Sequence, residues 1–107
     1  MTKRIVEVPS GAWSVEDRGE GRVVLLVHGF PLDHSMWRRQ IESLSQRFRV
    51  IAPDLAGFGE SAPVEKFTMA SLADDCAALL DKLEISERIC YCGLSMGGYI
   101  GWEFWAR

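Results

Sequence analysis

The run Gly93-Leu94-Ser95-Met96-Gly97 follows directly on the apolar stretch Ile89–Cys92. That order places a serine on a sharp turn out of a buried strand, the pattern of a nucleophile elbow. A serine in such a bend takes up a strained backbone, at a cost on the order of 1 to 3 kcal/mol, and its hydroxyl projects away from the chain into a cleft. Gly93 and Gly97 remove the side chains that would clash there. Two further segments bear on the same chemistry. His28-Gly29-Phe30-Pro31 closes the run Val23–Val27, and Asp54-Leu55-Ala56-Gly57-Phe58-Gly59-Glu60-Ser61 follows Val50–Ala52.

The elements that must position these loops alternate between strand and helix. Ile5–Val8 and Trp13–Val15, with Pro9-Ser10-Gly11 between them, read as an opening hairpin. Val23–Val27 is an unbroken branched run, as in a strand covered on both faces of a parallel sheet. Trp37, Ile41, Leu44 and Phe48 then recur at helical spacing, with Ser35 as the expected cap. Val50–Ala52 is the next strand. A second helix is expected from Thr68, which caps it while Phe67 reaches toward Leu72, and Met69, Leu72, Cys76, Leu79, Leu80 and Leu83 form its apolar stripe. Ile89–Cys92 is the next strand and a helix starts at Ser95. The fold class is therefore α/β, a hairpin followed by a mostly parallel sheet flanked by helices, in one domain over residues 1–107.

In open parallel sheets, chemistry gathers at the carboxyl ends of the strands, where all three loops fall. A helix starting after Ser95 aims unpaired amides beside the hydroxyl, so Met96 N–H can donate to an oxyanion. Gly29 permits close backbone approach, and Phe30 N–H is the second expected donor. Such a pair, preset where charge develops on a tetrahedral intermediate, is acyl-transfer machinery.

With these residues the chain resembles the α/β-hydrolase family, in its branch of small ester hydrolases, enol-lactonases and cofactor-free haloperoxidases. The three motifs, with Gly98 extending the last, match in order and cover the N-terminal portion of that fold. The resemblance implies Ser95 as nucleophile, Phe30 and Met96 as oxyanion donors, and His28, Gly29, Gly93, Gly97 and Gly98 as the supporting loops. It implies a small-molecule ester or lactone as substrate and no cofactor. A serine at the elbow also sets the chain apart from the dehalogenase branch, whose nucleophile looks like aspartate. The Asp54 loop organises the sheet in this family and is given no catalytic role.

The departure lies downstream. The family's triad runs Ser, acid, His along the chain, whereas the 12 residues after Ser95 hold no histidine. His28 and His34 are the only imidazoles, and His28, at the end of its strand, is expected to hold the oxyanion loop rather than act as base. The chain alone is then expected to be close to inactive, because a serine without its base is a weak nucleophile. The alternative reading is a non-catalytic module that keeps the fold for binding or assembly. In the family the strand equivalent to Ile89–Cys92 is internal, so a free edge and the apolar Tyr99, Ile100, Trp102, Phe104 and Trp105 predict self-association or pairing with a complementary fragment.

Other classes fit poorly. The net charge is −3 with 12 basic residues scattered along the chain, not the footprint of a nucleic-acid binder. No apolar run reaches membrane-spanning or signal-peptide length. A phosphate cradle would need Gly-x-x-x-x-Gly-Lys or Gly-x-Gly-x-x-Gly spacing, and Gly93–Gly98 has neither. Cys76, Cys90 and Cys92 lack the spacing of a zinc site or redox pair, so no metal is expected and a reduced, cytoplasmic setting fits. Cys90 and Cys92 share one strand face and are expected to be small buried side chains.

Overall fold

The computed structural model describes residues 3–106. Strands β1 (Lys3–Val8), β2 (Gly11–Arg18), β3 (Val23–Val27), β4 (Arg49–Pro53) and β5 (Cys90–Gly93) form one sheet, and the helices are α1 (Arg38–Leu44), α2 (Met69–Lys82) and α3 (Met96–Trp105). The spatial order is β1-β2-β4-β3-β5. The hairpin pairs β1 with β2 antiparallel, and β2 runs antiparallel to β4. Strand β3 is parallel to both of its neighbours, with Leu25 opposite Ile51 on one side and Tyr91 on the other.

The unbroken apolar run of β3 follows from its two covered faces. Alternate side chains of a strand point to opposite sides. Val23, Leu25 and Val27 join Ile51, Leu72, Leu79 and Ile100 in the larger core under α2 and α3. Val24 and Leu26 join Val50, Ala52, Trp37 and Ile41 under α1.

Helix α2 starts where its cap signal stands. Thr68 Oγ1 accepts from Ser71 N–H at 2.9 Å, and Ser71 Oγ accepts from Thr68 N–H at 2.9 Å. Phe67 packs on the same core that holds Leu72. The helix ends in a left-handed residue, Glu84 at φ 60°, with Ile85 N–H donating to Leu80 O at 2.9 Å and Glu84 N–H to Asp81 O at 3.0 Å. Those two bonds are the reciprocal closure of a helix C-terminus.

Two expectations require correction. Ser35 is not the cap of the first helical segment. Asp33 is, with its carboxylate accepting from Ser35 N–H at 2.8 Å, and a 3-10 turn over His34–Trp37 precedes α1. Asp33 has the extended backbone of an N-cap, and its carboxylate also accepts from the Ser35 hydroxyl. Cys90 and Cys92 are exposed rather than buried. They lie on the α1 side of β5, and α1 covers only the β3 and β4 part of that face. As expected of a free edge, β5 pairs with β3 alone and ends the sheet.

Candidate active site

All three loops stand at the carboxyl ends of the parallel strands. After β5 the chain passes through Leu94 and Ser95 into α3. Ser95 has φ 54° and ψ −112°, outside the regions open to most L-residues. The residue is exposed, and its side chain makes no capping bond to α3.

The bend exists because two glycines let backbones touch. A Cβ on Gly93 would lie 2.4 Å from the Gly97 carbonyl, and one on Gly97 would lie 2.2 Å from Val27 O and 2.9 Å from His28 O. The first turn of α3 therefore sits directly on the end of β3. Gly98 is different, for its nearest neighbour to an added Cβ is Gly93 O at 3.9 Å. The elbow is tied down by Leu94 N–H donating to Val27 O at 3.2 Å and by Gly97 N–H donating to Leu94 O at 2.9 Å. Below it, the Tyr91 hydroxyl donates to Gly97 O at 2.7 Å. Burial raises the Tyr91 pKa, so this donor stays protonated.

The loop after β3 is drawn against this elbow. A Cβ on Gly29 would meet Leu94 O at 2.8 Å and Ser95 Cβ at 3.4 Å, so Gly29 and Ser95 are brought together. Phe30 follows, 66% exposed, and the Phe30–Pro31 peptide is cis. Among the described residues, neither Phe30 N–H nor Met96 N–H enters a hydrogen bond with the protein. Met96 is the first residue of α3, where amides lack an intrahelical partner.

His28 is buried and fully occupied. Its Nε2 accepts from Leu55 N–H at 2.9 Å, and Nδ1 lies 3.0 Å from the Gly29 carbonyl, to which it donates. The first bond fixes the neutral tautomer, since Nε2 must be unprotonated. Burial lowers the His28 pKa, with the Gly29 carbonyl and Asp54 opposing. The imidazole thus ties the β3 loop to the β4 loop.

His34 is also engaged. Its backbone N–H and Nδ1 both bond Asp54 Oδ1, at 2.8 and 2.7 Å, and its ring lines a small cleft with Glu16, Arg18, Arg38 and Glu42 that excludes Ser95. Asp54, which sequence reasoning left as a sheet-organising residue, is a buried hub: its second oxygen accepts from Glu60 N–H at 3.0 Å. A Cβ on Gly59 would fall 2.3 Å from that carboxylate, which explains the glycine. Asp33, His34 and Asp54 bring possible ligand atoms within 4.8 Å of one another. Asp33 Oδ1 is taken by Ser35, and Asp54 by His34 and Glu60.

Sequence reasoning missed Phe58. Its ring stands nearly perpendicular to His28 (centroids 5.5 Å apart) and to Phe30 (5.7 Å). The available signal was an aromatic residue held between two turn glycines.

A family model described as alpha/beta hydrolase fold matches residues 22–107. The AB hydrolase superfamily protein YisY of Bacillus subtilis is 41% identical over 95 residues, covering 87% of this chain and 35% of that protein. A thermophilic esterase from Thermogutta terrifontis superposes with a TM-score of 0.89 at 44% identity, over 100% of this chain and 41% of the other. Epoxide hydrolase VrEH1 from Vigna radiata gives 0.89 at 38% identity, over 95% and 34%. The chain therefore spans about two fifths or less of each protein it resembles.

Proposed function

This chain belongs to the α/β-hydrolase fold family, and from that premise we propose that Ser95 is the nucleophile of a hydrolase acting on carboxylic esters or lactones through an acyl-enzyme. The observation that carries the reading is a non-glycine residue at φ 54° on a strand-to-helix turn, pressed against Gly29. Strain of that kind persists only where the surroundings enforce it. Likeness to an esterase at 44% identity supports an ester as substrate.

Ser95 Oγ attacks the carbonyl carbon, its proton passes to a base, and the tetrahedral oxyanion rests on the amides of Phe30 and Met96. Collapse expels the alcohol, which takes the proton, and water then cleaves the acyl-enzyme. The base is neither His28, whose Nε2 accepts from Leu55, nor His34, which faces another cleft. It therefore comes from outside the described residues, and this chain alone turns over little or no substrate. Neither metal nor cofactor enters the scheme. The free thiols Cys76, Cys90 and Cys92 support a reducing, cytoplasmic setting.

The base arrives with whatever covers β5. A groove of about 900 Å3, lined by Leu80, Ile85, Ile89, Tyr91, Trp102 and Trp105, opens on one side of that strand. A second of about 560 Å3, lined by Leu26, Trp37, Phe48, Cys90 and Cys92, opens on the other. We assign these surfaces to a complementary hydrolase segment, with self-association of the isolated chain as the expected substitute. A sedimentation profile showing only monomer at micromolar concentration would count against this.

A fluorophosphonate should label the complete protein at Ser95, and Ser95→Ala should abolish the label and the hydrolysis of aryl acetates. Unchanged labelling of the alanine variant ends the proposal. The lack of a base favours one other reading, a binding module that keeps the fold without turnover; it predicts no Ser95-dependent hydrolysis in the complete protein.

A further inference from the structure

We propose that Tyr91 is a positioning residue that holds and polarises the oxyanion donor on Met96 through two peptide planes, an inference whose catalytic part rests on the assignment of Ser95 as nucleophile. The Tyr91 hydroxyl donates to Gly97 O at 2.7 Å. That carbonyl lies in the same planar unit as Gly98 N–H, which donates to Ser95 O at 2.8 Å. The Ser95 carbonyl in turn shares its plane with Met96 N–H, which among the described residues bonds no protein acceptor. One line of bonds thus runs from a side chain on β5 to the amide on which the oxyanion would rest.

The hydroxyl is delivered by a seat fitted to its ring. A Cβ on Gly101 would fall 2.7 Å from Tyr91 Cε1, so the ring's approach requires a glycine there, although glycine weakens a helix interior relative to alanine. Phe104 stacks on the ring, with centroids 5.3 Å apart and 28° between the planes. Packing alone would be served by phenylalanine. The hydroxyl adds a donor, which burial keeps protonated. A hydrogen bond to a carbonyl polarises its peptide and makes the N–H of that unit a stronger donor, and linked bonds reinforce one another by about 10 to 30% each. Tyr99 N–H also reaches Ser95 O, at 3.2 Å, so without the hydroxyl Met96 N–H stays aimed but donates more weakly. The consequence is a loss of transition-state stabilisation with the elbow intact.

The test uses the complete protein as Tyr91→Phe, and with 3-fluorotyrosine at position 91, which keeps the ring and makes the hydroxyl a stronger donor. The readouts are the amide proton shifts of Gly98 and Met96 by NMR in the free enzyme, the phosphonylation rate of Ser95, and kcat and KM on an aryl acetate. In Tyr91→Phe both amide protons should move upfield. Phosphonylation and kcat should fall about two- to fivefold, a modest part of the hundredfold or more that a whole oxyanion donor is worth, with KM unchanged. The fluorotyrosine form should shift both protons downfield and match or exceed wild-type rates, and it serves if the phenylalanine variant fails to fold. A purely structural hydroxyl would lower Tm while leaving the Met96 proton and kcat where they were, and that result overturns the inference. So does a KM rise at constant kcat, or an equal loss of rate in the two forms. If wild type shows no Ser95-dependent labelling, the nucleophile assignment falls and takes the catalytic part with it, while the amide shifts still decide whether Tyr91 reaches Met96. Normal labelling of wild type with Tyr91→Phe at the same rate removes the Tyr91 inference alone.

Discussion

Replacing Ser95 with glycine should make the protein more stable while removing its proposed chemistry. At φ 54° and ψ −112° the serine holds a conformation costing on the order of 1 to 3 kcal/mol, and glycine pays almost none of it. Glycine also loosens the unfolded chain, a penalty of about 0.5 to 1 kcal/mol. The exposed serine side chain makes no capping bond to offset the exchange. The difference leaves a net gain of about 0 to 2.5 kcal/mol, or several degrees in Tm near its middle at roughly 4 to 8 °C per kcal/mol. Ser95→Ala is the control, because alanine keeps the Cβ and therefore the strain; its stability should stay within about 0.5 kcal/mol of wild type. Urea unfolding of the three proteins at equal m-value measures the difference directly. A glycine variant no more stable than the alanine variant would refute the argument that the elbow is strained.

The two helix glycines of the elbow should separate cleanly: Gly97→Ala, whose Cβ would sit 2.2 Å from Val27 O, should cost about 1 to 3 kcal/mol. Gly98→Ala, with nothing nearer than 3.9 Å, should be neutral or gain up to about 1 kcal/mol from helix propensity, so equal losses in thermal melts would contradict the packing described. Asp75 is buried, with one oxygen accepting from Ser10 N–H and the other without a partner among the described residues, and burial raises its pKa. A raised folded pKa means the charged form is disfavoured, so this group destabilises progressively as pH rises above the usual carboxylate range; the Tm of Asp75→Asn should exceed that of wild type at pH 7 to 8, the gap closing toward pH 4. Thiol titration of the isolated chain with a disulfide reagent should find Cys90 and Cys92 fast, while Cys76, buried and with its thiol pushed up to about 12, should react only on unfolding; protection of the first two in freshly diluted monomer would show that the α1 face of β5 is already covered.

Residues that carry their own local instruction were the legible ones. Val23–Val27 announced a strand covered on both faces because its apolar run has no period, and Thr68 announced the start of α2 because its oxygen reaches the third amide onward. Gly93 and Gly97 were readable since only backbone contact requires their absence of side chain. What stayed hidden depends on neighbours distant in sequence. The exposure of Cys90 and Cys92 follows from where β5 lies in the sheet and from the short reach of α1, and no pattern within Ile89–Cys92 encodes either. Asp54 gathering His34 and Glu60, and Phe58 closing on Phe30, likewise need loops from two strands to meet. Asp33 as cap in place of Ser35 depends on where the 3-10 turn begins, which the spacing of Trp37, Ile41, Leu44 and Phe48 does not mark.

Strand β5 has four residues and a ladder on one flank only, while β3 beside it is bonded on both. Amide exchange should then be quicker in β5 than in β3, because opening β5 breaks ladder bonds on one flank only. The hydroxyl is aimed by a hinge whose rigidity is set from outside the strand itself. Ångström-level aim at residue 95 accordingly leans on the strand's neighbour, through the bond from Leu94 N–H to Val27 O.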